Sequence, residues 1–120
     1  MKSKWITYKG KQLLYGDYSG FGRDVQALQQ ENDAVDAIVC QMPEGSVLSI
    51  TDVRDSVGTM EAVEVLKKSS ARTKPYIRKI AVVGVTGVRR ILADGVARFS
   101  GQNMQYFDDI EAAKEWLVND

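Results

Sequence analysis

A chain of 120 residues with 44% hydrophobic side chains is the size of one domain and carries enough apolar material for its own core. Its 16 basic and 16 acidic residues cancel, so no net charge draws it to nucleic acid, and none is expected as a partner. It has no histidine, which removes the commonest general base and metal ligand, and a single cysteine, Cys40, which excludes an internal disulfide.

The charge balance hides a pattern. Residues 1–66 hold 6 basic and 10 acidic side chains, residues 67–98 hold 9 and 1, and residues 99–120 hold 1 and 5. The basic middle either scatters over elements facing acidic neighbours or forms a surface for an anionic partner, including peripheral contact with a membrane. The start, Met-Lys-Ser-Lys-Trp, has no apolar leader segment, and no run approaches the ~20 apolar residues of a membrane span. A soluble, cytoplasmic protein is expected.

In chain order, Trp5–Tyr8 and Gln12–Tyr15 are β-prone runs around Lys9-Gly10-Lys11, which predicts a hairpin. From Asp24 to Met42, apolar residues at Val25, Leu28, Val35, Ile38, Val39 and Met42 have helical spacing. Asn32 interrupts that stripe, and Pro43-Glu44-Gly45 is expected to stop the helix. Cys40 is expected to be buried on it. Ser46–Val53 reads as a strand with two mostly apolar faces, hence interior to a sheet. A helix from Thr59 to Ala71 follows, with Glu61 and Glu64 early, Lys67, Lys68 and Arg72 late, and Glu64 spaced to pair with Lys68.

The run Ile80–Val83 ends at Gly84, and helical spacing restarts at Val88, Ile91, Leu92, Val96 and Phe99. Arg90, Asp94 and Arg98 form a charged row opposite. Gly101 suits a helix end, Gln102–Phe107 a last strand, and Asp108 or Asp109 the cap of a final helix docked by Ile110, Ala113, Trp116 and Leu117. The order β-β-α-β-α-β-α-β-α predicts an α/β fold: one domain over residues 1–120, with one mixed sheet, parallel after its first strand, and helices packed on it.

In such sheets, ligands and partners meet the loops at the carboxyl ends of the strands. The candidate loops carry Asp17 and Ser19, Asp52 and Asp55, and Gly84, Thr86 and Gly87. Gly84-Val85-Thr86-Gly87 either cradles an anion with backbone N–H groups or makes an ordinary strand–helix turn. It lacks the spacing of a dinucleotide fingerprint or a P-loop. Asp17, Asp52 and Asp55 are too few to argue a metal, and no cofactor or catalytic set is expected. Ser56 and Thr59 enter the second long helix either as caps or as phospho-acceptors at a helix N-terminus.

The runs Leu-Leu-Tyr-Gly-Asp-Tyr-Ser-Gly (13–20), Ser-Val-Leu-Ser-Ile-Thr-Asp-Val (46–53), Lys-Pro-Tyr-Ile (74–77), Ala-Val-Val-Gly-Val-Thr-Gly (81–87), Arg-Phe-Ser-Gly (98–101) and Phe-Asp-Asp-Ile-Glu-Ala-Ala-Lys-Glu-Trp-Leu (107–117) together resemble the bacterial SpoIIAA-like, or STAS/SEC14-type, domains. The resemblance covers nearly the whole chain and implies a STAS-like sheet without implying a reaction. Better-known STAS relatives are anti-sigma-factor antagonists switched by phosphorylation of a serine in an Asp-Ser-Ser-Gly motif. The comparable place here is Asp55-Ser56-Val57-Gly58, with Val57 in place of the second serine.

The expected function is thus a non-enzymatic regulatory or signalling module. It would bind a protein partner through the strand-end loops and be open to a phospho-switch at Ser56 or Thr59. The alternative is a binder of a lipid-like or other small apolar or anionic ligand: the SEC14 side of the resemblance implies an apolar one, the basic segment 67–98 offers contact with a membrane surface, and Gly84–Gly87 offers an anion site. A homodimer fits this kind of sheet.

Overall fold

The computed structural model describes residues 2–54, 59–84 and 103–119. Its strands are β1 (Lys4–Tyr8), β2 (Lys11–Asp17), β3 (Val47–Asp52), β4 (Ile77–Val83) and β5 (Met104–Phe107). Its helices are α1 (Val25–Val39), α2 (Met60–Thr73) and α3 (Ile110–Val118). The strands form one sheet in the order β1-β2-β3-β4-β5. β1 runs antiparallel to β2, and every later pairing is parallel. The hairpin closes with Tyr8 opposite Lys11, so Lys9 and Gly10 alone make the turn, both with positive φ (49° and 81°). Two such residues match the twist of a tight hairpin, and the glycine takes the second position without a Cβ clash.

The sheet is covered on both faces, as the double apolar pattern of β3 requires. Leu14, Val47, Val53, Ile80 and Val82 point to one side and pack with Leu28, Val35 and Val39 of α1 and Ala62 of α2. Leu13, Leu48, Ile50, Ala81 and Val83 point to the other and meet Ala113 and Leu117 of α3. The alternation follows from the two-residue period of a strand. Phe107 and Trp116 extend the second core with ring centroids 5.7 Å apart.

Several local expectations change. α1 ends at Val39, short of Met42, because the next turn tightens: Gln41 N–H donates to Ile38 O and Met42 N–H to Val39 O. Cys40 is therefore exposed at the helix end, one residue past buried Val39 and turned off its face. Glu64 pairs with Lys67 at 3.7 Å, one residue nearer than the expected Lys68. Of the two aspartates proposed to cap the last helix, Asp109 does so, accepting from the N–H groups of Glu111 and Ala112. The helix expected over Val88–Phe99, its Arg90-Asp94-Arg98 row, and Gly101 lie outside the described residues.

Candidate functional site

The carboxyl ends of β2, β3 and β4 meet at one corner. Asp17 lies opposite Asp52 in the ladder, and Asp52 opposite Val83. Beyond the strands the loops stay joined: Tyr18 N–H donates to Asp52 O, Gly20 N–H to Arg54 O and Val53 N–H to Val83 O, each at 2.9 Å. Two of the three candidate loops are thus zipped together by backbone bonds, and the third begins beside them.

Asp52 is the centre of this corner and is fully buried. Arg54 grips its carboxylate in a fork, Nε to Oδ1 at 3.0 Å and Nη2 to Oδ2 at 2.8 Å, and adds its own backbone N–H to Oδ1 at 3.1 Å. The Tyr15 hydroxyl donates to Oδ2 from the neighbouring strand. Burial works against the charged carboxyl, but the bonds from Arg54 and Tyr15 outweigh it and hold Asp52 below its ordinary pKa. Burial, then the bond to Asp52, pushes the Tyr15 phenol up to about 12, so at neutral pH it is a neutral donor. Asp52 has its oxygens committed to protein donors, so it serves to fix Arg54. The Arg54 side chain itself is half exposed.

The other proposed residues sort by their bonds. Asp17 Oδ1 accepts from Ser19 N–H at 3.0 Å and Ser19 Oγ at 2.5 Å, and lies 3.5 Å from Lys2 Nζ. Asp17 and Ser19 therefore close their own turn. Gly84 has φ +97°, and a Cβ there would stand 2.8 Å from the Arg54 backbone nitrogen. Its N–H donates to Phe107 O at 3.4 Å. The glycine is thus needed for close passage against Arg54, with its N–H turned to β5. Thr59 is the N-cap of α2, its Oγ1 accepting from Ala62 N–H at 3.1 Å. Asp55, Ser56, Thr86 and Gly87 lie outside the described residues.

A second feature was not legible as a site in the sequence. Between α1, α2 and the sheet lies a cavity of about 100 Å³, partly open to solvent. Its walls include Asn32, the residue whose polarity broke the α1 stripe, together with Asp36 and Ser69. These three belong to a buried polar chain. Asn32 Nδ2 donates to Ser69 Oγ at 3.1 Å and to Tyr18 OH at 3.2 Å, while Ser69 Oγ donates to Asp36 Oδ1 at 2.7 Å. Arg72 closes the chain with Nε and Nη2 on Asp36 Oδ2, at 3.2 and 2.5 Å.

The basic segment is partly absorbed by the fold. Arg72 is spent on Asp36 and Lys67 on Glu64. Lys79 donates to the carbonyls of Trp116 and Asn119 at the end of α3 and sits 5.0 Å over the Trp116 ring. Such placement suits a cation at a helix C-terminus. Arg89, Arg90 and Arg98 lie outside the described residues. Among those residues no helix is long and apolar enough to cross a membrane.

No curated protein matches the sequence. The structure is similar to the crystal structure of an uncharacterised protein of the DUF3478 family with a SpoIIAA-like fold, from Shewanella loihica PV-4. The TM-score is 0.72 over 97% of this chain and 92% of that one, at 12% sequence identity, a likeness of fold. A family model described as SpoIIAA-like matches residues 16–118, from the end of β2 through α3. With that match spanning most of its length and a sheet of the same kind, the chain belongs to the SpoIIAA-like family.

Proposed function

We propose that the chain is a non-enzymatic binding module that receives an acidic group of a protein partner at the strand-end corner. The observation that carries this reading is the state of Arg54. Its guanidinium is clamped by a fully buried carboxylate yet half exposed, a permanent cation held in one orientation. A pre-set arginine loses little freedom on binding and matches carboxylate or phosphate geometry with its remaining N–H groups. Met60, in the first turn of α2 at the same end of the sheet, is 66% exposed and offers an apolar surface at that end. Arginine and methionine together are typical of interface centres.

A phospho-switch fits this surface. A phosphate on Thr59 or Ser56 would add charge at the α2 N-terminus, close in sequence to Arg54, and change what a partner meets. The test is affinity capture from host lysate with wild type, Arg54→Gln, Met60→Asp and a remote control, Lys114→Gln, each checked for native circular dichroism. The expected result is a protein retained by wild type and the control and lost from both corner variants. Equal recovery on all four would remove the corner as the partner surface.

A further inference from the structure

β1 is one edge of the sheet, so its outer side has no strand beside it. The hairpin decides which of its groups face outward. With Lys9 and Gly10 alone in the turn, the closing pair Tyr8 and Lys11 exchanges both backbone bonds, and such pairs recur at every second position. Ile6 with Leu13 and Lys4 with Tyr15 are therefore bonded across the hairpin. Trp5 and Thr7 lie between them, with their N–H and C=O groups turned away from β2. Neither has a backbone partner among the described residues. The edge is also held in place. Lys2 and Ser3 give their N–H groups to Glu31, Thr7 Oγ1 accepts from Gln12 at 2.7 Å, and the Tyr8 hydroxyl donates to Glu115 at 2.6 Å. It has no proline and no break in its register with β2, two of the usual obstacles to further pairing.

We propose that this edge binds an extended acidic peptide of another protein, which adds a strand antiparallel to β1 through Trp5 and Thr7. Charge selects the occupant. Residues 2–16 hold four lysines and no acid. Lys2 is paired with Asp17 and Lys9 with Glu115, but Lys4 is exposed and in no ion pair among the described residues. Lys4, Ile6 and Tyr8 share one face of the strand. An incoming carboxylate two residues from an apolar side chain would therefore meet Lys4 and Ile6 together. Trp5, 37% exposed on the other face, would cover the residue between them. A second copy fits less well, because antiparallel pairing about Ile6 would set Lys4 beside the Lys9 turn of that copy, cation against cation. No β1 residue takes part in the Arg54 corner, so this inference stands apart from the proposed function.

The test titrates the intact protein with the peptide acetyl-Ser-Glu-Thr-Val-Thr-Glu-Ser-amide, followed by amide chemical shifts and hydrogen exchange. Two control peptides replace both glutamates with lysine, or both threonines with proline, which has no N–H to donate. The acidic peptide is expected to bind roughly tenfold more tightly than either control. It should slow exchange at Trp5 and Thr7 and leave Ile6 and Tyr8, already bonded to β2, nearly unchanged. Lys4→Glu should weaken the acidic peptide by about tenfold and favour the lysine peptide instead. Thr7→Pro removes an outward N–H without touching the hairpin ladder and should abolish binding. Equal affinity for the three peptides, no binding by any, or shifts centred on Arg54 would overturn the proposal. So would protection of Trp5 and Thr7 that appears without peptide as protein concentration rises, which would assign the edge to a second copy. Should Thr7→Pro fail to fold, the alternating protection in wild type and the Lys4→Glu response decide the matter.

Discussion

Asp52 shows how one side chain sets the chemistry of a corner. It is the last residue of β3, fully buried, and meets donors from its own loop and from the neighbouring β2. Asp52→Asn removes the charge that Arg54 grips and turns an amide N–H toward other donors. Unfolding free energy should fall by about 2–4 kcal/mol, read by urea denaturation. A change under 0.5 kcal/mol would mean that the fork contributes nothing to stability. Gly84 is the second residue of this kind. Its positive φ alone makes Gly84→Ala cost about 1–2 kcal/mol, and the Cβ contact with the Arg54 backbone adds to that. The same variant should disturb Arg54, so its effect and that of Asp52→Asn should be less than additive in a double-mutant cycle.

At the scale of elements, α1 departs most from a simple amphipathic helix. Its buried face holds Glu31, Asn32 and Asp36 beside Leu28, Val35 and Val39. Each acid has a task. Glu31 accepts the backbone N–H groups of Lys2 and Ser3 and so ties down the chain start, while Asp36 locks α1 to α2 through Ser69 and Arg72. Asp36→Ala should cost about 2–3 kcal/mol, because it leaves the Ser69 hydroxyl without its acceptor and frees Arg72. Arg72→Ala should cost less, since that side chain is half exposed. The reverse ranking in thermal unfolding would show the packing of the arginine stem to matter more than the buried carboxylate. For α2, Thr59→Ala removes an N-cap and should cost ~1 kcal/mol, with Thr59→Ser close to neutral.

For the whole molecule, pH couples to folding in two windows. Asp52 and Glu31 both sit below their ordinary values of 3.8 and 4.5; burial opposes this, but hydrogen bonds to the charged forms prevail. The folded state therefore binds fewer protons than the unfolded one below those values. Stability should fall as pH drops through this range. Tyr8 and Tyr15 are both pushed from 10.0 to about 12, Tyr8 chiefly by its bond to Glu115 and Tyr15 chiefly by burial. Between these limits the folded state keeps protons that the unfolded state has released, so stability should also fall as pH rises from 10 to 12. Urea midpoints across both ranges would check this. Tyr18, raised above its ordinary value chiefly by burial, adds to the same limb, so Tyr8→Phe with Tyr15→Phe should make the limb shallower without removing it, and an unchanged limb would assign it to other groups.

The sheet and its covering follow from local patterns in the chain. Two-residue periodicity in β3, helical spacing in α1, the charge order of α2, the apolar run of β4 and the Gly10 turn are local signals written in nearby residues. They also place Asp17, Asp52 and Gly84 at one end of the sheet, because parallel strands joined by helices bring their carboxyl ends together. What those residues bond to depends on contacts between elements. In the sequence Asp52 is one residue of a strand-end loop, and only the fold brings Tyr15 and Arg54 onto its oxygens. Asn32 breaks an apolar stripe in the sequence, and only the fold joins its amide to Tyr18 and Ser69 in a buried hydrogen-bonded chain. Hydrogen-bond partners and voids form between elements far apart in the chain, and no local pattern records which partner a polar side chain will meet.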